Sequence, residues 1–176
     1  QVVVPCTDPA NSPWDTCYSY QVTPMHEIRY FQNDKLHGPY SFQDDQGRLI
    51  TEAEYTRGEH SGRWLNFDYD GKERTGSQEF HLETGKLNGR FVSWDGNGKV
   101  QRTGYFTNDV PRGTWQDYRE GGLSVEKVLV YEGLGRTDRY LAVSGKTTAI
   151  ATYKQDNLIE YQRFDTLSGK LETKFR

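Results

Sequence analysis

Long apolar runs are missing from this sequence, and residues that favour helices are scarce. Methionine occurs once in 176 residues, and hydrophobic residues make up only 34% of the chain. No apolar run approaches the roughly 18 residues that a membrane-spanning helix needs. These shortages argue against a transmembrane bundle and against a helical core. A chain of this length can form one domain with a substantial core, but it is short for two.

A strong charge of either sign is also missing. The formal net charge is −3 and the pI is near 5.8, which argues against a nucleic-acid-binding surface as the main function. The chain is instead rich in aromatic residues (14%) and contains 18 glycines. This mixture is typical of many short strands joined by glycine turns, with aromatic side chains supplying most of the buried area.

The chain has only two cysteines, Cys6 and Cys17, in a proline-rich start. Because no further cysteine or nearby histidine completes a metal site, we predict a disulfide and an oxidising compartment; two free cytosolic thiols are the alternative. We interpret Gln1 as the residue after a removed signal peptide, or as a cloning boundary, and expect a periplasmic or secreted protein. Residues 1–26 are predicted to form an irregular disulfide-tied cap with one strand at 18–22.

The central part of the chain repeats. Four segments each contain a glycine, an aromatic residue two positions later and a second glycine seven positions after that. The first glycine falls at 38, 62, 89 and 113 and the second at 47, 71, 98 and 122, so both series step by 24, 27 and 24 residues. Two marks that stay in register indicate a repeat array. The second series continues to 145 and 169, so the array covers 27–176, with 123–176 as two degenerate units.

Each unit is predicted to hold two strands and two turns. The first strand ends at a tight turn, with tips at 33–34, 57–58, 84–85 and 108–109, and at 133 and 156–157 in the degenerate units. The second strand carries the glycine-linked aromatic residue. Local hairpin pairing then gives an all-β fold: an elongated antiparallel meander of about six two-strand repeats, each about 24 residues long.

Strand alternation sorts the apolar side chains onto two faces. One face is predicted to carry a structural column of stacked rings: Tyr40, Trp64, Phe91 and Trp115. The other face carries Leu65 and Val92 with four aromatic residues that we predict as partner-binding anchors: Phe67, Tyr69, Trp94 and Tyr118. In a single-layer sheet this second face must be covered by the cap, by a partner or by another copy in a homodimer.

Reactive groups do not converge in the sequence. His37 and His60 precede the repeated glycine segment in neighbouring units, but they lack a metal-ligand spacing and are interpreted as solvated turn residues. Acids that recur before the turns, such as Asp44 and Asp95, are interpreted as turn formers. We therefore predict no catalytic residue, no metal and no cofactor. Five turn glycines are each followed by a basic residue: Arg48, Lys72, Lys99, Lys146 and Lys170. We expect these residues to line one edge of the sheet. They are interpreted as charged residues of exposed turns; the alternative is contact with anionic lipid or an acidic partner.

The unit is best preserved from Tyr55 through Gly58, Gly62 and Trp64 to Gly71-Lys72, and it resembles the variant form of the MORN repeat. The likeness covers residues 28–122 well and 123–176 loosely. It implies an elongated sheet that acts as a binding surface. Bacterial variant-repeat members are often labelled antitoxins or immunity proteins, and other MORN proteins are associated with membranes or scaffolding. We hypothesise a non-catalytic immunity or antitoxin-type protein that occludes a toxin's active site. The alternative is an envelope scaffold that binds anionic lipid or glycan.

Overall fold

The computed structural model describes residues 2–5, 16–22, 25–119 and 121–176. Within these ranges the chain forms strands and turns, which confirms the all-β class, and no helix there has the length and hydropathy to cross a membrane. The strands are β1 (Val2–Pro5), β2 (Thr16–Val22), β3 (Met25–Gln32), β4 (Lys35–Gln43), β5 (Leu49–Thr56), β6 (Glu59–Asp70), β7 (Glu73–Glu83), β8 (Lys86–Leu87), β9 (Gly89–Asp95), β10 (Val100–Thr107), β11 (Val110–Tyr118), β12 (Val125–Glu132), β13 (Gly135–Leu141), β14 (Thr147–Lys154), β15 (Asn157–Phe164) and β16 (Leu171–Phe175).

The strands belong to two compact units, residues 1–89 and 90–176. In the first unit β1 to β7 lie side by side in chain order, and the short β8 pairs with β7. In the second unit the strands from β9 to β16 also neighbour one another in chain order. The strand pairs within each unit are antiparallel, as between β5 and β6 or β12 and β13. The predicted antiparallel meander is therefore confirmed within each unit.

The hairpin tips have the backbone that the sequence predicts. Asn33 and Asp34 have φ values of 50° and 58°, and Arg57 has 54°. Positive φ at both central residues defines the two-residue turn whose twist matches that of the flanking strands. The positions 84–85 and 108–109 behave in the same way. The last tip forms at Gln155 and Asp156, one residue earlier than predicted.

The turns at the opposite ends of the strands are held by aspartate side chains. Asp44 Oδ1 accepts the backbone N–H groups of Gln46 and Arg48, both at 2.9 Å. Asp95 Oδ1 repeats the arrangement and accepts the N–H of Lys99 at 2.8 Å. These bonds close the turn around a glycine with positive φ. The interpretation of Asp44 and Asp95 as turn formers is confirmed.

The start of the chain differs from the predicted irregular cap. The strand expected at 18–22 is present within β2, but β1 pairs with β2 and β2 pairs with β3, so both strands extend the sheet. The run Val2–Val4 explains the missed strand, because β-branched side chains favour a pleated conformation. Cys6 lies outside the described residues, so its disulfide with Cys17 remains a prediction.

Both faces of the sheet contain buried side chains. In the first unit Ala53 and Leu65 are buried on opposite faces, because Ala53 pairs across the strands with Trp64, the neighbour of Leu65. In the second unit the adjacent residues Phe91 and Val92 are 8% and 1% exposed. The expectation that both faces are partly apolar is therefore confirmed.

Candidate functional site

Aromatic rings form a row on one face of the first unit, which we call the row face. The ring centroids of Tyr40 and Tyr55 are 5.6 Å apart, those of Tyr55 and His60 are 4.1 Å apart, and His60 stacks on Trp64 at 5.2 Å. Phe80 continues the row 5.8 Å from Trp64. Tyr40 and Trp64 share a face as predicted, but they are linked through Tyr55 and His60 and do not stack on each other.

The row face of the second unit packs more tightly. Phe91 stacks directly on Trp115 at 5.3 Å, as the predicted column requires. Phe106 meets the Trp115 ring edge-on at 5.0 Å, and Tyr131 lies 6.0 Å away on its other side. The indole lies over Gly104, where an added Cβ would be only 2.0 Å from the ring. Trp115 is consequently 6% exposed and forms the centre of this unit's core.

Half of each row was missed from the sequence. The additional rings belong to the first strand of each 24-residue repeat, where an aromatic residue recurs at 55, 80, 106, 131 and 153. This recurrence is a signal in the sequence. A repeat defined by its glycines does not use it, because these aromatic residues precede the first glycine of each repeat.

The two histidines considered as ligands have structural surroundings. His60 was interpreted as a solvated turn residue, which is wrong: it lies half-buried in the row, with Nε2 hydrogen-bonded to the Tyr55 hydroxyl at 2.6 Å. Burial lowers the pKa of His60. His37 Nδ1 accepts the backbone N–H of Arg57 at 3.2 Å. Across the described ranges, no three His, Cys, Asp or Glu side chains cluster in a way that could hold a metal ion.

An aspartate takes the place of a ring in the second unit. Strand register sets Trp115 opposite Leu129, Leu129 opposite Asp138, and Asp138 opposite Ala151. Asp138 therefore continues the row, yet it carries a carboxylate and is 0% exposed. An isolated ionised carboxylate at such a position would be very costly, so its partners decide whether the fold tolerates it.

Two cations compensate the buried carboxylate. Lys127 Nζ lies 2.8 Å from Asp138 Oδ2, and Arg136 Nε lies 2.8 Å from Oδ1. Burial alone would lower the pKa of Lys127, but the hydrogen bond and negative charge of Asp138 outweigh it and raise that pKa. Lys127 also lies over the ring of Tyr140, and Arg136 over that of Tyr153, at 4.9 and 4.4 Å. This cluster fixes strands β12 to β14 relative to one another.

The predicted anchors lie on the second face, opposite the row, and all four are half-buried. Two of them are held by their own unit. The Tyr69 hydroxyl donates to the carbonyl of Leu49 at 3.2 Å, and the Arg48 guanidinium lies 4.8 Å above its ring. The Tyr118 hydroxyl donates to Gln116 Oε1 at 3.1 Å. These contacts give Tyr69 and Tyr118 a structural reason for their positions.

Phe67 and Trp94 differ from the other two anchors. Neither ring packs against another aromatic ring within the described ranges, although both are half-buried. Phe67 pairs across the strands with the small residue Ser77, which is itself buried. Elsewhere on the second face of the first unit lies a groove of about 330 Å³, which Leu65 and the carboxylate of Glu54 help to line.

The edge that carries the glycine–basic turns, which we call the turn edge, is apolar in the second unit. Leu123, Val143 and Leu167 occupy successive turns there and are 92%, 78% and 86% exposed. Side chains connect these turns: Arg119 donates to the carbonyl of Leu141, and Lys146 Nζ donates to that of Leu167 at 3.0 Å. The basic residues of this edge were predicted from the sequence, but its leucines and valine were not.

No protein-family model matches the chain, and no curated protein matches it either. The resemblance to the MORN repeat therefore remains an expectation from the quoted motif.

Proposed function

We propose that the protein is a non-catalytic protein-binding module of the extracytoplasmic immunity or antitoxin type, which neutralises a toxin or effector by covering its active site. The observation that supports binding is the contrast between the two faces. Trp64 and Trp115 pack against other rings, whereas Phe67 and Trp94 are half-buried rings without an aromatic neighbour in the described ranges. Partly exposed aromatic residues are typical anchors of protein interfaces.

The packed row supports this role by making the second face rigid. A ring row that links neighbouring strands holds the strands in one arrangement, so the second face needs little ordering when a partner binds. The charges of Arg63 and Glu79, paired at 2.7 Å on that face of the first unit, supply polar groups of the kind found at an interface rim. The toxin as partner, and the immunity class, rest on the resemblance to variant MORN repeats.

The test measures binding and stability in the same variants. We expect Phe67→Ala and Trp94→Ala each to weaken the affinity for the partner by at least about tenfold while the protein stays folded. The first bait is the product of the neighbouring gene, and the readouts are isothermal titration calorimetry and thermal unfolding. Trp64→Phe is the matched control on the row face, and it should lower the melting temperature without changing the affinity. Anchor variants that melt early but bind fully would show that the second face is not the interface.

The proposed compartment has a separate test. Mass spectrometry of unreduced protein should find Cys6 and Cys17 joined in a disulfide. Free thiols in freshly prepared protein would contradict an extracytoplasmic location.

A second candidate function is favoured by the turn edge of the second unit. Three largely exposed aliphatic side chains beside Lys146 and Lys170 form an apolar and basic edge suited to the surface of an anionic membrane. Flotation with vesicles containing phosphatidylglycerol should then recover the protein, and the triple change Leu123→Ser, Val143→Ser and Leu167→Ser should abolish recovery. Equal recovery with neutral vesicles, or no recovery at all, would remove this candidate.

A further inference from the structure

The groove on the second face of the first unit combines apolar side chains with two carboxylates. Its volume is about 330 Å³, and its lining includes Ile28, Tyr30 and Leu65. Leu65 is buried, and the other two are half-buried. Glu52 and Glu54 line the same groove and are exposed. We call this site the acid groove.

Strand register places both acids on the second face. Glu52 of β5 pairs with Ser41 of β4 and with Leu65 of β6. Because side chains alternate along a strand, Glu54 shares the face of Glu52 at a spacing of roughly 6–7 Å. The Glu54 carboxylate lies over Gly62, in the space that a Cβ would occupy. Both acids therefore lie beside the apolar part of the groove.

The fold does not compensate these two charges. Within the described ranges Glu52 and Glu54 make no hydrogen bond and no ion pair. Arg63 is a base that lines the groove, but it is paired with Glu79 at 2.7 Å. Two like charges at such a spacing repel each other. The buried Asp138, by contrast, has two cations beside it, so the uncompensated acids of the groove are suited to a cation from outside.

We propose that the acid groove binds an arginine side chain of the partner protein, with the guanidinium between Glu52 and Glu54 and the aliphatic stem against Leu65. The inference rests on the proposed function, which supplies the partner. A guanidinium forms strong charge-assisted hydrogen bonds with carboxylates and stacks on aromatic rings such as Tyr30. The stem of arginine packs along apolar surface while its charged end reaches polar groups. The groove offers all three kinds of contact.

The acid groove lies next to one of the proposed anchors. Leu65 and Phe67 are two residues apart on β6, so alternation places them on the same face. A partner that covers Phe67 is therefore close enough to reach the groove. Arginine is enriched at protein interfaces, and complementary charge selects among partners and speeds their association. The partner surface opposite the first unit is accordingly expected to be basic.

A small peptide tests the acid groove without the partner. The probe is acetyl-Gly-Arg-Gly-amide, and its control carries citrulline, which has a similar shape and no charge. Titration of isotope-labelled protein, followed by NMR, should shift the backbone amides of β3, β5 and β6 in a saturable way. We expect the citrulline peptide to bind at least about fivefold more weakly, and added salt to weaken the arginine peptide.

Charge removal in the groove is the second measurement. The double variant Glu52→Gln and Glu54→Gln should bind the arginine peptide at least about fivefold more weakly. Its melting temperature should be unchanged or higher, because a repulsion is removed. The control variant, Asp70→Asn with Glu73→Gln, removes the same charge from exposed positions beside a turn and outside the groove. It should bind the peptide like the unchanged protein.

Two results with the peptide would overturn the proposal. One is the absence of saturable shifts up to the solubility limit of the peptide. The other is equal affinity for the arginine and citrulline peptides, or for the unchanged protein and the groove variant. These outcomes do not depend on the proposed function, because the peptide replaces the partner.

The same groove variant then separates this inference from the proposed function. It should weaken the affinity for the partner by about tenfold, as Phe67→Ala should. Full affinity of the groove variant, together with a loss in Phe67→Ala, would overturn the arginine assignment and leave the proposed function standing. A neighbouring gene product that fails to bind any form of the protein would contradict the proposed function, while the peptide would still decide whether the groove takes a guanidinium.

Discussion

The two units build their rows from different chemistry on the same backbone repeat. The first unit joins its rings through half-buried polar groups, with the Tyr40 hydroxyl bonded to Glu27 at 2.7 Å and Tyr55 bonded to His60. The second unit packs Trp115 among three rings and then replaces the next ring with the buried Asp138. The repeat therefore determines which positions are buried. The side chains on the neighbouring strands determine whether such a position holds an aromatic ring or a charged group with its partners.

The units also differ in what their turns expose. Turns of the first unit present polar residues such as Asp45 and Gln46, whereas those of the second unit present Leu123 and Leu167. Large exposed apolar residues are concentrated after residue 104, in the second unit. Apolar side chains at exposed turns contribute little to the stability of the unit itself, so the proposed membrane contact of the turn edge concerns the second unit.

The largest expected effect comes from removing the carboxylate that interrupts the second row. Asp138→Ala leaves Lys127 and Arg136 without their shared partner, and we expect a loss of about 3–5 kcal/mol in the free energy of unfolding. Urea denaturation measures this loss. The control is Glu126→Ala: its carboxylate is 48% exposed and lies 3.8 Å from Arg119, so the change should be small. A similarly small loss for Asp138→Ala would contradict a structural role for the cluster.

The next effect concerns the glycine beneath the indole. Gly104→Ala places a methyl group in the space of Trp115, and overpacking of this kind should cost about 1–3 kcal/mol. The same substitution should cost much less when Trp115 is first changed to leucine, because the smaller side chain leaves room. A double-mutant cycle in urea measures the coupling. Equal costs in both backgrounds would show that Gly104 is needed for another reason.

The smallest expected effect is a difference between the two units in how their stability depends on pH. All four histidines of the chain lie in the first unit, and burial lowers the pKa of His60 there. A base whose pKa is lower in the folded state contributes stability above its unfolded pKa of about 6.5, and this contribution is lost as pH falls towards the folded pKa. Hydrogen exchange should therefore show faster opening of β5 and β6 at pH 5 than at pH 7.

The second unit provides the comparison for that experiment. Hydrogen bonds from Lys174 and Gln162 lower the pKa of Glu160 to about 2. The stability that Glu160 contributes is therefore lost only as the pH falls from its unfolded pKa, near 4.5, to that lower pKa. Protection of β15 should thus be unchanged between pH 7 and pH 5. His60→Gln should remove the pH dependence of the first unit. Equal acid sensitivity in both units would contradict the assignment to His60.

The glycine spacing predicted more of the fold than of the site. The turn glycines and hairpin tips define the strand ends, because positive φ is a local property that the residue type reveals. Contacts between rings are less accessible. Between Ala53 and Tyr55 the pairing with β6 shifts by two residues, near Gly62, and this bulge brings His60 into the row. Alternation along a single strand does not reveal such a shift.

Asp138 shows a second limit of the sequence. A charged residue in an aromatic position suggests an exposed site, since aspartate is rarely buried without partners. Its partners Lys127 and Arg136 lie 11 and 2 residues away along the chain, on β12 and on Asp138's own strand β13. Alternation along β13 places Arg136 on the face of Asp138, but only the strand register brings Lys127 to the same carboxylate. The motif therefore predicts the repeat, while the compensation of a buried charge is visible only in three dimensions.

The central claim is that the row face stabilises the fold and the second face binds a partner. Comparing two tryptophans of the second unit tests it most directly. The measurement is the free energy of unfolding of Trp115→Ala and of Trp94→Ala. Trp115 is buried among three rings, so its removal should cost about 3–5 kcal/mol. Trp94 is half-buried and has no aromatic neighbour in the described ranges, so its removal should lower the free energy of unfolding by less than half as much. Equal losses would contradict the assignment of folding to the row face and of binding to the second face.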